Sequence, residues 1–473
     1  MSPRTRLALL VGMAAVLRLA RAAARWEEWA WRYSAYPGPT ADALAAGDLS
    51  TALTHWTGLH PPMWSLLHAA SELLLPVPAL WLLAGAALGT AGVALVARRR
   101  PRAGLLLAVS PVALHYTAEV NDYPLLFCLV CVIWTLRDEV EADRRHWSWL
   151  ALAGAAAGWT HALGGLVATV AVLTLHRRLA ARSLGLMLLA WVPLVPGAIA
   201  VLTEGGATAQ PPFKPELVLR DLVTRFGPGA LLLGPVAWYG IRQARAEAMG
   251  LLVPAIALVG LVSAGIAAPH QFPYLLVLVV PGAVLAAAGG GRGPRRWVLL
   301  FVAAAHSLWA GTRVVADLKA LVSGPSDRAI DVALRSEAPG WTCAPDAPAT
   351  RACAGEALVL ISGGGGNDDD KRRISPVLWR LRPWQRMPRL TGLPGAWEDH
   401  RRGHPRVVQG RAVYVFDHVR PQLADVLDLH PSASLVLYGD GPRQRFLDEL
   451  EQITGHRPPP RGPDHLLHLP LWP

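Results

Sequence analysis

The first two thirds of the chain consist of apolar runs of 13 to 21 residues separated by short polar segments. A membrane-spanning helix needs about 20 mainly apolar residues, and only helices or closed barrels satisfy the backbone inside a bilayer. Of the 473 residues, 52% are hydrophobic and 17% are charged, whereas soluble proteins have about a quarter charged residues. The pattern predicts an all-α polytopic membrane protein.

We predict eleven transmembrane helices in residues 1–316, with no internal repeat. Their apolar runs are 7–24, 78–97, 103–117, 123–136, 147–161, 164–176, 183–202, 229–241, 248–268, 273–291 and 297–315. The shorter runs cannot cross a bilayer as straight helices. They predict tilted or broken helices whose ends meet inside a cavity.

The basic residues set the predicted orientation, because cytoplasmic loops carry the excess of Lys and Arg. With the N-terminus in the cytoplasm, the inner loops hold 17 basic residues and the outer loops between spans hold five. The inner set is Arg4, Arg6, Arg98, Arg99, Arg100, Arg102, Arg137, Arg144, Arg145, Arg177, Arg178, Arg182, Arg242, Arg245, Arg292, Arg295 and Arg296; the outer set is Arg25, Arg32, Lys214, Arg220 and Arg225. We therefore assign the net charge of +11 to orientation in the cytoplasmic membrane and not to nucleic-acid binding.

The first outer loop, residues 25–77, is long, aromatic and acidic. It follows an apolar run without a convincing cleavage site, so the run is predicted to be a retained anchor whose Arg18 and Arg21 reach the far interface. Residues 61–75 are too short and polar for a span and predict a helix lying on the membrane surface. Making this segment a span would place the Arg clusters outside.

Residues 317–473 are richer in proline and charge and predict a small extracytoplasmic α/β domain. The predicted strands are 357–362, 411–416 and 434–438, and the predicted helices are 326–337 and 443–454. Outside the cytosol, Cys343 and Cys353 could form a disulfide. Cys128 and Cys131 lie inside an apolar run and are predicted core residues.

Polar residues collect at the predicted outer ends of the spans. They are Glu27, Glu28, Asp42, Asp48, His60, Glu119, Asp122, Tyr123, His161, Lys214, Arg220, Arg225, His270 and Tyr274. Carboxylates beside cations suit transfer from a lipid-linked anionic donor, because a carboxylate can accept the acceptor's proton and cations can neutralise a leaving phosphate.

Simpler roles compete with each assignment. Asp42 and Asp48 could cap helices, the prolines after His60 could start a helix, and Glu119 and Asp122 could form a turn. His68 and Glu72 have the spacing of two metal ligands on one helix face, but no third ligand accompanies them.

Several motifs, in this order, resemble the GT-C membrane glycosyltransferases. They are L-R-L at 17–19, the acidic pair Glu27-Glu28, H-P-P at 60–62, S-P-V-A-L-H-Y-T-A-E-V-N-D-Y-P-L at 110–125, T-H at 160–161 and H-Q-F-P-Y-L-L at 270–276. The most similar group is glycosyltransferase family 39, of the protein O-mannosyltransferase and aminoarabinose-transferase type. The resemblance covers roughly residues 7–290. Glu27 departs from the family, which usually has Asp there.

The resemblance implies an inverting sugar transfer from a polyprenyl phosphate at the outer face of the membrane. Carried over, the catalytic pair is Glu27 and Glu28, and the second family carboxylate falls on Glu119 or Asp122. The implied partners are a polyprenyl-phosphate sugar donor, membrane lipids and a glycan, lipid or protein acceptor, with no nucleic acid. No cofactor and no metal ligand set is assigned, although a divalent cation is compatible with the site.

Two other functions remain open. A polymerase or ligase of surface polysaccharide would use the same donor in the same compartment. A transporter or flippase of lipid-linked sugars would also have broken helices, but its charges would not collect at one membrane face.

The basic-residue asymmetry predicts that the chain beyond residue 316 lies outside the cytosol. Alkaline phosphatase fused after residue 320 should therefore be active, because this reporter folds only outside the cytosol. An inactive phosphatase together with an active cytosolic reporter at the same position would refute the orientation.

Overall fold

The computed structural model describes residues 2–24, 40, 43–44, 47–54, 56, 59–74, 78–119, 121–204, 229–263, 272–290, 293–323, 357–362, 406–408, 411–416, 434–438, 448, 451–452 and 469–470. It divides the chain into two units, one holding residues 1–24, 40–68 and 80–318, and the other holding 25–39, 69–79 and 319–473. The predicted helices at 326–337 and 443–454, apart from three residues of the second, and the Cys343–Cys353 pair lie outside the described residues.

Helices make up most of the described chain up to residue 323. They are α1 (Pro3–Ala24), α2 (Leu49–Thr54), α3 (Met63–Leu74), α4 (Pro78–Arg99), α5 (Pro101–Val109), α6 (Pro111–Tyr116), α7 (Tyr123–Ala142), α8 (Trp147–Thr160), α9 (Ala162–Leu173), α10 (Arg177–Trp191), α11 (Val195–Glu204), α12 (Gly229–Gly240), α13 (Arg245–Ser263), α14 (Leu276–Gly289) and α15 (Arg295–Ser323). Short 3-10 helices occupy Arg144–His146, Val192–Leu194 and Phe272–Leu275.

Three helical segments of the described chain are long and apolar enough to cross a membrane. They are Trp81–Arg99, Arg177–Val201 and Arg295–Val315. Large apolar side chains on them face outwards: Leu189 is 70% exposed and Phe301 is 63% exposed. Exposed apolar surface of this extent is typical of a lipid-facing helix, and it indicates a membrane protein.

The predicted run 103–117 is a pair of short helices and not one continuous helix. α5 ends at Val109, and Pro111 starts α6 because proline fits the first helical turn. The Ser110 hydroxyl accepts a hydrogen bond from the Ala113 N–H and so caps α6. The prediction that short apolar runs form broken helices is confirmed here.

The helical core is centred on α7, α8, α9 and α14. Phe127 and Ile133 of α7, Leu150 of α8, Val167 of α9 and Leu276 of α14 are completely buried in one cluster. Cys128 and Cys131 are also buried with free thiols, which confirms their prediction as core residues. This packing fixes the N-terminal end of α7, where the candidate site lies.

Asp48 illustrates a local role that the sequence predicted. Its carboxylate accepts hydrogen bonds from the hydroxyl and the backbone N–H of Thr51, so it caps α2. These bonds, the hydroxyl first, hold the pKa of Asp48 below its usual value. The ionised form that caps the helix is therefore favoured, and the capping prediction is confirmed.

The chain after residue 356 contributes a five-stranded sheet. Its strands are β1 (Ala357–Ser362), β2 (Arg406–Val408), β3 (Arg411–Phe416), β4 (Ser434–Tyr438) and β5 (Leu469–Pro470), in the order β2-β3-β1-β4-β5. β1 pairs in parallel with β3 and β4, and the two edge pairs are antiparallel. The three predicted strands are confirmed as β1, β3 and β4.

Ion pairs join the helix ends on the side predicted to face the cytoplasm. Arg100, between α4 and α5, donates to Asp138 of α7 at 2.6 Å and to Glu247 of α13 at 2.5 Å. Arg99 pairs with Glu139 at 2.7 Å. Arg100 therefore links three helices through two carboxylates.

Glu247→Gln should lower the free energy of unfolding by about 2 kcal/mol. The Glu247 side chain is only 3% exposed, and the substitution removes one of the two carboxylate charges paired with the partly buried Arg100 guanidinium. Chemical unfolding in detergent, followed by tryptophan fluorescence, measures the change. The control is Glu141→Gln, whose carboxylate bonds Arg137 but is 50% exposed; we expect less than about 1 kcal/mol there. Equal losses would contradict a structural role for Arg100.

Candidate functional site

The site is built on a hydrogen bond between two residues 62 positions apart: His60 Nδ1 lies 2.8 Å from Asp122 Oδ2. Asp122 immediately precedes α7, whose first turn Pro124 favours. Its carboxylate makes no hydrogen bond to its own helix and is directed at His60 instead. An ionised carboxylate can only accept, so His60 Nδ1 carries the proton and donates it.

His161 reaches the same place from the junction between α8 and α9. Its backbone N–H ends α8 by donating to the Ala157 carbonyl at 2.9 Å, and its Nδ1 accepts from the Leu163 N–H at 3.1 Å to cap α9. The Ala162 N–H donates to the Leu59 carbonyl at 3.0 Å. This bond ties the segment before α3 to the α8–α9 turn, so the rings of His60 and His161 meet with centroids 4.8 Å apart.

Gly164 keeps this helical turn tight. A Cβ there would lie 2.6 Å from the Ala157 carbonyl oxygen and 2.8 Å from Leu126 Cδ1. Any larger residue would push α9 away from α8 and α7. The glycine therefore helps to hold His161 beside the N-terminus of α7.

Two tyrosines complete the cluster. The Tyr123 ring lies 5.5 Å from His60, and the Tyr274 ring, from the segment before α14, lies 5.3 Å from His161, both edge-on. Edge-to-face contacts of this kind are favourable for aromatic rings. Five of the predicted site residues therefore come together in one cluster, in which His60 is part-exposed and the others are buried: His60, Asp122, Tyr123, His161 and Tyr274.

Glu119 belongs to an adjoining network. Its Oε2 accepts from Asn121 Nδ2 at 2.6 Å, and Asn121 Oδ1 accepts from the Tyr123 N–H at 3.0 Å. On the other side, Glu119 Oε1 lies 3.6 Å from His115 Nε2, and Arg21 Nη2 lies 3.0 Å from His115 Nδ1. Glu119 thus connects Arg21 of α1, through His115, to Asn121, which binds the backbone N–H of Tyr123 in the His60 cluster.

Arg21, His115 and Asn121 were not among the predicted site residues. The sequence signal for two of them was present, because His115 and Asn121 lie in the same H-Y-T-A-E-V-N-D-Y segment as Glu119 and Asp122. Arg21 gave no such signal, since its neighbours in sequence do not show which helix faces α1.

The predicted reach of Arg18 to the membrane interface is wrong. Arg18 is completely buried, and its guanidinium donates to the carbonyls of Ala14, Leu107 and Ala108 at 3.3 to 3.4 Å. The carbonyls of Leu107 and Ala108 lie next to the helix break at Ser110, and the last carbonyls of a helix have no N–H of the same helix to bind. Arg18 therefore binds a helix end inside the bundle.

The remaining predicted site residues fall outside the described part of the chain. They are Glu27, Glu28, Asp42, Lys214, Arg220, Arg225 and His270. The catalytic role of the glutamates and the phosphate-binding role of the cations stay predictions from the sequence.

His60, Asp122 and His161 each offer a possible ligand atom for a metal ion, within 4.8 Å of one another. The hydrogen bonds favour a different chemistry. Because His161 Nδ1 accepts from Leu163, a neutral His161 carries its proton on Nε2, and a protonated nitrogen cannot bind a metal. His161 Nε2 is buried and makes no hydrogen bond within the described residues, so the site presents an unused donor beside a carboxylate–histidine pair.

No protein-family model, curated protein or solved structure matches this chain.

The capping role of His161 can be tested by two substitutions. Asn is among the best helix N-caps and Ala among the poorest. The free energy of unfolding of His161→Asn should therefore be about 1 kcal/mol higher than that of His161→Ala. Chemical unfolding in detergent compares them, with wild type as the reference. If the two variants are equally stable, a side-chain cap at position 161 does not stabilise α9.

Proposed function

We propose that this protein is an integral-membrane glycosyltransferase of the GT-C type. It transfers a sugar from a polyprenyl-phosphate donor to an acceptor at the outer face of the cytoplasmic membrane, with inversion at the anomeric carbon. The observation that carries the proposal is the cluster of His60, Asp122, Tyr123, His161 and Tyr274, because it contains a hydrogen-bonded acid–imidazole pair within an apolar helical bundle.

The position of the cluster along α7 supports an outer-face site. Asp122 precedes the first residue of α7, whereas Asp138 and Glu139, which pair with Arg100 and Arg99, lie near its last turn. A 20-residue helix is about 30 Å long, which equals the hydrocarbon thickness of a bilayer. With the arginine-rich end in the cytoplasm, the His60 cluster lies level with the outer interface.

That depth suits the proposed donor. A polyprenyl tail stays in the bilayer, so its phosphate and sugar lie at the interface, where an acceptor from water can meet the anomeric carbon. The predicted cations Lys214, Arg220 and Arg225 would neutralise the leaving phosphate. The eleven spans and the extracytoplasmic α/β domain belong to the same proposal.

The direct test incubates the purified protein in nanodiscs with a panel of radiolabelled polyprenyl-phosphate sugars and a cell-envelope extract as acceptor. We expect label to move from the lipid to a new product. Asp122→Asn should reduce the rate by on the order of 10²-fold or more, since it removes the charge that orients His60.

The products also separate the alternatives. Label in a growing polysaccharide indicates a polymerase or ligase. Label that crosses the bilayer of a proteoliposome while still attached to its lipid indicates a flippase and contradicts the transferase. Label that stays on the lipid and on its own side of the bilayer with every donor contradicts the transferase, the polymerase or ligase, and the flippase.

A further inference from the structure

We propose that His60, held by Asp122, accepts the proton of the attacking hydroxyl, and that His161 donates a hydrogen bond from Nε2 to the same substrate. This inference rests on the proposed function and assigns its proton acceptor to an imidazole in place of Glu27 or Glu28. The juxtaposition that carries it is the 2.8 Å bond from His60 to Asp122 with the His161 ring 4.8 Å away.

The direction of the hydrogen bond decides which nitrogen of His60 can act. Asp122 only accepts, so Nδ1 of His60 holds its proton, and Nε2 carries the lone pair of the neutral imidazole. A base must present a lone pair to the proton that it removes. Asp122 also stabilises the positive charge that the imidazole gains, because it lies within hydrogen-bonding distance of the ring.

The exposure of the three side chains fits this division of roles. The His60 side chain is 17% exposed, whereas that of Asp122 is 5% exposed and His161 is completely buried. The imidazole of His60 is therefore the member of the pair that a substrate can approach, and the carboxylate is shielded from water. A shielded carboxylate orients its partner more strongly than one competing with solvent.

His161 supplies the second observation. Its Nδ1 accepts from Leu163, so its Nε2–H is a donor, and this nitrogen is buried with no hydrogen-bond partner in the described part of the chain. Buried donors in proteins almost always have a partner. An oxygen of a bound hydroxyl compound would provide one next to His60.

The proposed step balances. The hydroxyl oxygen of the acceptor forms a bond to the anomeric carbon while its proton passes to His60 Nε2. The bond from the anomeric carbon to the phosphate oxygen breaks on the opposite face, and its electron pair leaves with the polyprenyl phosphate. The imidazolium then returns its proton to the released phosphate or to water, which restores the neutral His60.

Chemical rescue tests the base. His60→Ala should reduce kcat by on the order of 10²-fold or more, and added imidazole should restore a measurable part of it by occupying the vacated space. Imidazole should not raise the activity of a Glu27→Gln, Glu28→Gln double variant. Glu141→Gln, half-exposed at the other end of α7, is the matched control and should keep the wild-type rate. A folded His60→Ala variant that is fully active, or inactive with no response to imidazole, overturns the proposal.

His161→Asn tests the donor, because it keeps the cap on α9 and removes Nε2–H. It should raise KM for the acceptor by about tenfold or more with a smaller change in kcat, since one hydrogen bond to the substrate is lost. An unchanged KM overturns the role of His161.

A spectroscopic measurement separates failure of this inference from failure of the proposed function. Nitrogen-15 NMR of labelled histidines in the intact protein should show His60 protonated on Nδ1 and His161 on Nε2, with the His60 signal changed by Asp122→Asn. The opposite tautomer at His60 overturns the base assignment even in an active transferase. Absence of transfer with every donor overturns the function, whatever the tautomer.

Discussion

The hydrogen bond between His60 and Asp122 is the contact on which the described site depends. It joins the segment before α3 to the first turn of α7, across 62 residues. In an apolar bundle a buried charge is costly unless it is paired and hydrogen-bonded. Because the Asp122 carboxylate bonds His60 and not its own helix, it holds the segment before α3 against the start of α7. The backbone bond between Ala162 and Leu59 then brings the α8–α9 turn beside His60.

The same constraint explains where two other buried polar side chains lie. Helix ends and breaks leave backbone groups without a helical partner, and buried polar side chains use them. Arg18 binds the carbonyls of Leu107 and Ala108 beside the break at Ser110. His161 caps α9 at its junction with α8. These two side chains therefore bind backbone groups at places where helices stop.

Some of the site could be predicted because sequence topology alone places it. Asp122 precedes α7 and His161 precedes α9. Once both helices are predicted to start on the same side of the membrane, the two residues are expected at the same level of the bundle. The network of Arg21, His115 and Asn121 could not be found in this way. It depends on which helix packs against α1, and that depends on side-chain packing between segments far apart in the chain.

The sequence by itself determined the apolar helices, the strands β1, β3 and β4, and five residues of the site, because hydropathy and turn residues act over short stretches of chain. Only the tertiary structure decided which polar groups meet. The buried position of Arg18 and the bond from His60 to Asp122 both follow from contacts between segments far apart in the chain. Which distant helices pack together depends on side-chain packing and on pairing of buried polar groups across the bundle, and no local pattern encodes either.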